Sequence, residues 1–427
     1  MQYDFKKHNI GLTFKLSLAF VWISIFNAVF DNALPKILVD PVSEGGLGLN
    51  YTDKGIVMAL DNIFGVFILP LFGLLSDKTR SKFGKRTPYI IAGALLAVIS
   101  WGLAGYALYI RNNWFFIIAL GAGLLFISMS RPASLAILPD FTMLHNRRKA
   151  NAITQILSVV ATLYGIILVT VLMKYGYYWI FPATVISMLI FIVLHLFLVK
   201  EKKYEKEFPK EEETESGEDL SLDDYKTDKK HIFRNKLALF GAVFFFYVSF
   251  NGLLSSLANY ATEVLHLDKS SFTVPQLLTL VAACIVAVPV SKLQNKIKRK
   301  YLLIFGFIIM LGAFALAFFQ NSMNALMIIG FILAGLGYSV SIVNLYPYVL
   351  ELSDPRRIGR STGVFNLVMM LAMVFTPIMS GFLIDKYSIK VLFPYCLAAL
   401  LLGTVSLFFI YDKGSGGTGS RRSGIRS

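Results

Sequence analysis

The chain has 427 residues, 56% hydrophobic and 16% charged, with 36 Phe and a formal charge of +15. A water-soluble protein is about a quarter charged, so this composition, with a mean hydropathy of +0.63, argues against a soluble fold and for a bilayer. Nor does the charge indicate a nucleic-acid binder, because Lys and Arg sit in short connectors between apolar runs rather than on one patch.

A helix that crosses a bilayer needs roughly 20 mostly apolar residues. Residues 1–9 are polar and the first apolar run is long enough to span, so no cleavable leader is expected. Twelve spans are predicted, in chain order at 12–34, 55–75, 88–109, 114–138, 150–173, 177–199, 237–260, 274–293, 301–319, 324–350, 361–384 and 391–411. Alternate connectors differ in charge. Sixteen Lys/Arg, among them Lys85, Arg86, Lys149, Arg299 and Arg360, fall in one set; seven, including Lys36, Lys54 and Lys269, fall in the other. The richer set belongs on the cytoplasmic side, which places both termini there.

Ionisable residues at membrane depth are costly, by roughly 2.5–3.5 kcal/mol each on insertion scales, and mark function by default. The first span carries Trp22, Asn27 and Asp31; the second carries Asp61; the fourth carries Arg131. Asp31 and Asp61, at similar depth on adjacent helices, are candidates to share a proton, and Arg131 needs a carboxylate or solute oxygens beside it. Glu263 is expected at the outer interface, and His195 near the cytoplasmic one, where it could snorkel.

Between the halves, residues 200–235 hold alternating acids and bases with no apolar period, as expected of a solvated cytoplasmic linker. That divides the chain into a first bundle at 1–199 and a second at 236–412. Residues 413–427 read as a tag or cloning scar. The seventh span repeats Tyr247, Asn251, Ser255 and Asn259 at four-residue steps, and the tenth places Tyr338, Ser341 and Asn344 on one face. Such stripes either glue helices together or line a cavity; we take the cavity reading, with Trp22, Asn27 and Arg131 added to the solute-facing set. Cys284 and Cys396 lie in apolar runs and are read as small buried hydrophobes.

The halves echo each other. AILPDFTMLHNRRKANAI (136–153) and PYVLELSDPRRIGRSTGV (347–364) align at a constant offset, with Asp140 against Glu351 and Lys149 against Arg360. Each reads as an acid closing a span, a basic turn and a small-residue helix start, the mark of parallel repeats.

The connector GLLSDKTRSKFGKRTP (73–88) resembles the loop between helices two and three of the major facilitator superfamily, and its longer form is similar to the glycoside–pentoside–hexuronide symporter and sucrose-transporter branches. The resemblance implies an all-α membrane protein of two six-helix bundles, with helices one, four, seven and ten around a central cavity. It implies a gating role for Gly73, Asp77, Gly84, Lys85, Arg86 and Asp140, with Asp77 drawn to the start of helix eleven, where Ser361 and Thr362 are plausible caps. The positions that hold cation-binding acids in sodium-coupled melibiose carriers fall on Gly65 and Leu69, so no sodium site is expected.

The expectation is therefore a monomeric, non-enzymatic, multi-pass protein in a bacterial-type plasma membrane. It moves a sugar or glycoside with a proton, uses no metal or cofactor and has the lipid bilayer as its other partner. A proton-driven exporter and a lipid or lysolipid carrier are the alternatives. The sequence holds no Walker-A loop, no channel filter and no metal-ligand cluster.

Overall fold

The computed structural model describes residues 9–208, 229–269, 271–293, 297–353 and 358–411. Most of the predicted linker, the tail, and Lys296, Arg356 and Arg357 of the basic connectors lie outside the described residues. The described chain is helical. α1 (Ile10–Val39), α2 (Tyr51–Lys78), α3 (Thr87–Tyr109), α4 (Asn113–Asp140), α5 (Leu144–Leu172) and α6 (Ile180–Leu198) precede a short α7 (Glu201–Glu207). α8 (Lys229–Glu263), α9 (Val274–Leu293), α10 (Arg299–Phe318), α11 (Ala325–Glu351), α12 (Ile358–Lys386) and α13 (Leu392–Phe408) follow. Among the described residues, eleven helices are long and apolar enough to cross a membrane; α9 contributes a shorter apolar stretch, Val274–Ala287.

Local chemistry sets several boundaries. Four helices start at an asparagine whose side chain accepts a backbone N–H of the first turn: Asn9 from Leu12, Asn50 from Asp53, Asn112 from Phe115 and Asn324 from Met327. α2 therefore begins four residues before the predicted span and brings Lys54 into its first turn. α12 likewise starts before Ser361 and Thr362, which lie inside the helix instead of capping it. Thr362 instead meets the Tyr346 hydroxyl at 3.1 Å.

α1–α6 pack around a core in which Trp101 touches Phe26 and Phe181, both at 4.8 Å between rings. α8–α13 pack around Phe246, Phe307 and Phe314, with Phe246 stacked on Phe307 at 5.5 Å. A polar pairing recurs in both halves. Arg86, just before α3, binds Asp140 at the end of α4, and Arg299, opening α10, binds Glu351 at the end of α11 at 2.7 Å. These are the acids that the sequence echo aligned.

The charge-rich stretch after α6 is not wholly solvated. α7 is helical, and Glu201 and Tyr204 within it are each 1% exposed. The sequence reading missed this because no apolar period is needed when a single aromatic and a backbone-bonded carboxylate do the docking. His195 is also buried, 1% exposed with neither ring nitrogen hydrogen-bonded, so it does not snorkel.

Candidate functional site

Three helices of the first half bring their charges together at membrane depth. Arg131 on α4 donates from Nη2 to Asn27 Oδ1 on α1 at 3.1 Å, and the same nitrogen lies 3.6 Å from Asp61 Oδ1 on α2. Asp31, one turn beyond Asn27 on α1, lies within coulombic reach of both Asp61 and Arg131. The Arg131 and Asp61 side chains are 18% and 17% exposed. Asp61 begins roughly 15 Å along α2, at a rise of about 1.5 Å per residue. One guanidinium thus faces two carboxylates and an amide. At 3.6 Å the Asp61 contact is an ion pair without a hydrogen bond, and Asp61 Oδ1 has no hydrogen-bond partner. Such a group has free lone pairs for a proton or a donor hydroxyl. Gly65 and Leu69 lie further down the same helix and bring no oxygen side chain.

The polar stripes of the second half are treated unevenly. Ser255, Ser341 and Asn344 are buried and bond back to their own helices, through Gly252, Gly337 and Val340 carbonyls. Asn259 is fully buried with neither amide atom partnered. Tyr247 is 7% exposed. Asn251 and Tyr338 keep intermediate exposure: Asn251 reaches the Met373 carbonyl at 3.3 Å, and Tyr338 stacks on Phe250 at 3.9 Å. Trp22 has no exposed surface and packs in the first core, with its indole nitrogen unpaired. In this conformation the structure gathers Asn27, Asp31, Asp61 and Arg131, and does not bring Trp22, Ser341 or Asn344 to an open surface.

At the end of the bundle nearest α7, the predicted gating residues converge. Arg86 Nη2 pairs with Asp77 Oδ1 at 2.5 Å, its Nε with Asp140 Oδ2 at 2.8 Å, and its Nη1 donates to Ser76 Oγ at 2.6 Å. Lys85 adds a second cation to Asp140 at 3.1 Å. Burial works against the Arg86 charge, but hydrogen bonding and attraction from Asp140 and then Asp77 outweigh it and raise its pKa. Gly84 holds φ at +109°, a conformation an L-residue resists. Gly73 faces Pro132 of α4, where an added Cβ would lie 3.8 Å away. All the partners named for Arg86 and Lys85 are in the first half.

The opposite end is tied shut across the two halves by groups that no sequence pattern pairs. Asp385, at the end of α12, accepts the backbone N–H groups of Tyr51 (2.9 Å) and Thr52 (2.7 Å) and the Thr52 hydroxyl. Tyr51 donates its hydroxyl to Glu263. Lys54 has no exposed surface and donates to the Ser255 carbonyl at 3.0 Å and Ser256 Oγ at 2.8 Å. Lys36 pairs with Asp40 at 2.6 Å and donates to Thr262 at 2.9 Å; Lys269 pairs with Glu44 at 3.1 Å. Lys36 and Lys54 are buried helix residues and not the connector charges expected from the sequence, because α1 and α2 extend past the predicted spans. Beneath this charge layer the helices nearly touch. A Cβ on Gly55 would lie 2.1 Å from the Pro377 carbonyl oxygen, and one on Gly381 equally close to that of Tyr51. The sequence clue was Asp385 near the end of one span and Asn50 before another, which no local pattern links.

Comparison with known proteins bears on this geometry. Residues 16–285 and 239–426 match the family described as Major Facilitator Superfamily. Among curated proteins, the chain is 35% identical over 78 residues to the sucrose transport protein SUC4 of Arabidopsis thaliana, covering 18% of this chain and 15% of that one. It is 30% identical over 104 residues to an uncharacterized symporter of Synechocystis, covering 22% and 19%. It is also 34% identical over 71 residues to a general alpha-glucoside permease of Schizosaccharomyces pombe, covering 16% and 13%. The chain thus spans less than a fifth of the length of each of these relatives. Solved structures match over nearly the whole chain. A D-xylose-proton symporter gives a TM-score of 0.68 at 15% identity, covering 94% of this chain and 97% of that one. Peptide transporter POT gives 0.67 at 19%, with 95% of both covered. Nucleoside transporter NupG gives 0.66 at 13%, covering 94% and 100%. At these identities the likeness shows the fold.

Proposed function

The chain belongs to the Major Facilitator Superfamily, and we propose that this transporter moves a sugar or glycoside together with a proton by alternating access. The observation that carries the reading is the Asn27–Asp31–Asp61–Arg131 cluster. Two carboxylates and one guanidinium leave a net negative charge at membrane depth, which one proton removes. An unbalanced charge there is costly, so protonation and rearrangement of the halves are coupled through the same term. Arg131 and Asn27 offer the fixed donors and the amide that hydroxyl-bearing solutes use. Asn251 and Tyr338, partly open on the second half, are assigned to the facing side of the solute site, with Tyr247, Ser255, Asn259, Ser341 and Asn344 supporting it as the halves move.

The sugar assignment is supported by the partial relatives named as sucrose and alpha-glucoside carriers, and the proton by the absence of oxygen ligands at Gly65 and Leu69. α9 is read as a twelfth span, and both termini are placed on the cytoplasmic side with the basic connectors. In this assignment the tied end faces outward, and the Asp77–Arg86–Asp140 loop gates the cytoplasmic end. Alternating access then needs the Asp385, Glu263 and Lys54 contacts to break as the other end closes.

Purified protein in liposomes with an imposed inward pH gradient, offered a panel of radiolabelled mono- and disaccharides, tests the reading. Accumulation of at least one sugar above equilibrium, abolished by a protonophore, is expected. If no sugar accumulates but a lysolipid or a drug moves with the gradient, the carrier and exporter alternatives replace it.

A further inference from the structure

α3 begins without a cap of its own. Arg86 occupies the N-cap position and makes no side-chain cap hydrogen bond, while Thr87 and Pro88 follow. The N–H groups that lead into the helix, from Lys85 to Thr87, are instead taken by a residue more than a hundred positions away. Glu201 Oε1 accepts from the Lys85 and Arg86 backbone nitrogens, both at 2.9 Å, and Oε2 from Thr87 at 2.7 Å. Glu201 is 1% exposed, and a carboxylate there also meets the positive end of the α3 dipole. It fits the loop so closely that a Cβ on Gly84 would lie 2.3 Å from its Cδ.

The same short helix holds the other end of the ion network. Tyr204, 1% exposed, packs edge-on to Phe141 at 5.7 Å, and Phe208 does so at 6.0 Å. Phe141 directly follows Asp140. α7 therefore touches both the backbone that carries Arg86 and the turn that carries Asp140, the two residues whose pairing defines the loop.

We propose that Glu201 is a positioning residue for the gating loop: by clamping the backbone of Lys85 to Thr87 it aims Arg86 at Asp77 and Asp140, and makes the start of the inter-half linker part of the gate. The proposal rests on the gating reading of that loop, but its first test does not. Without the clamp, Arg86 keeps its charge but loses the fixed origin from which its planar fork reaches two carboxylates.

Hydrogen exchange on the full-length protein in nanodiscs is the first measurement. Glu201→Ala should speed exchange of the 85–87 amides at least ten-fold, with Glu201→Gln between it and wild type, since an amide offers one acceptor oxygen in place of two. Peptides from α10 and α11 should not change. Unchanged exchange at 85–87 in a variant that still melts cooperatively overturns the clamp.

The second measurement separates positioning from general stability. Spin labels at the exposed Lys149 and Arg360, with Cys284→Ser, report the distance between halves at the α7 end. Glu201→Ala should shift that distribution in the same direction as Arg86→Ala, and the double variant should shift it no further. Additive shifts, or a wild-type distribution in Glu201→Ala, overturn the positioning role. If Arg86→Ala itself has no effect while the exchange result holds, the gating reading fails and the clamp stands. Should Glu201→Ala fail to fold, Gly84→Ala serves in its place: the added methyl displaces Glu201 and should give the same exchange signature. A slow 85–87 segment in Gly84→Ala counts against the proposal.

Discussion

Arg131 has one guanidinium to divide among Asn27, Asp61 and the field of Asp31, and that scarcity makes each residue's loss distinguishable. On the proposed coupling, Asp61→Asn and Asp31→Asn should each cut pH-driven sugar accumulation at least ten-fold while leaving sugar exchange at equal concentrations within about three-fold. Accumulation at the wild-type level in both variants would end the coupling assignment. Arg131→Lys is a harder change than its charge suggests, because an ammonium replaces a fixed fork with one point donor. It should lower both accumulation and exchange, measured as uptake at saturating sugar.

Among elements, the contact of α2 with α12 concentrates the most structure in the fewest residues. The Asp385 carboxylate caps the first turn of α2 from the other half, a contact of the kind worth about 1 kcal/mol per helix cap. Beneath it, Gly55 and Gly381 let two backbones pass where no side chain fits. Gly381→Leu should therefore prop this end open. The expected result is faster labelling of a cysteine placed at Ser256, buried at present, by a membrane-impermeant maleimide added outside; unchanged labelling would show that the seal is held elsewhere. Lys54→Met removes a buried ammonium that is held by neutral oxygens and replaces it with a chain of similar length. Because a buried ion paired this weakly repays little of its desolvation, the variant should melt no more than a few degrees from wild type, yet with two of the hydrogen bonds that tie this end gone it should open there more readily and exchange solute faster.

For the whole molecule, the inter-half contacts named above all lie at one end, while the ion network at the other end stays within the first half. On the proposed mechanism this arrangement is one side of a rocking cycle, with the charge cluster between the two ends. A transporter trapped here should bind solute only from the α7 end. Linking Asp40 and Lys269, which line the cleft at the tied end, through a cysteine cross-link should abolish net transport and leave binding from the α7 side intact, measured by equilibrium dialysis. Loss of binding as well would place the solute site outside the cluster.

Composition and apolar run length were enough to establish a helical membrane protein, since a bilayer accepts little else that leaves its backbone satisfied. The loop at 73–88 was equally legible, because Gly, Asp, Lys and Arg at fixed spacing are local, and its partner Asp140 stood out as an acid ending an apolar span. Asp61 and Arg131 were visible as charges where charge is expensive, though nothing in the string paired them with each other or with Asn27. That pairing, the burial of Trp22, Ser341 and Asn344, and the contacts of Lys54, Asp385 and Glu201 were decided by tertiary structure alone. Each depends on which helices lie side by side. A carboxylate on α12 capping α2, or one after α6 capping α3, satisfies backbone groups that no residue within its own segment can reach, so no periodicity records it.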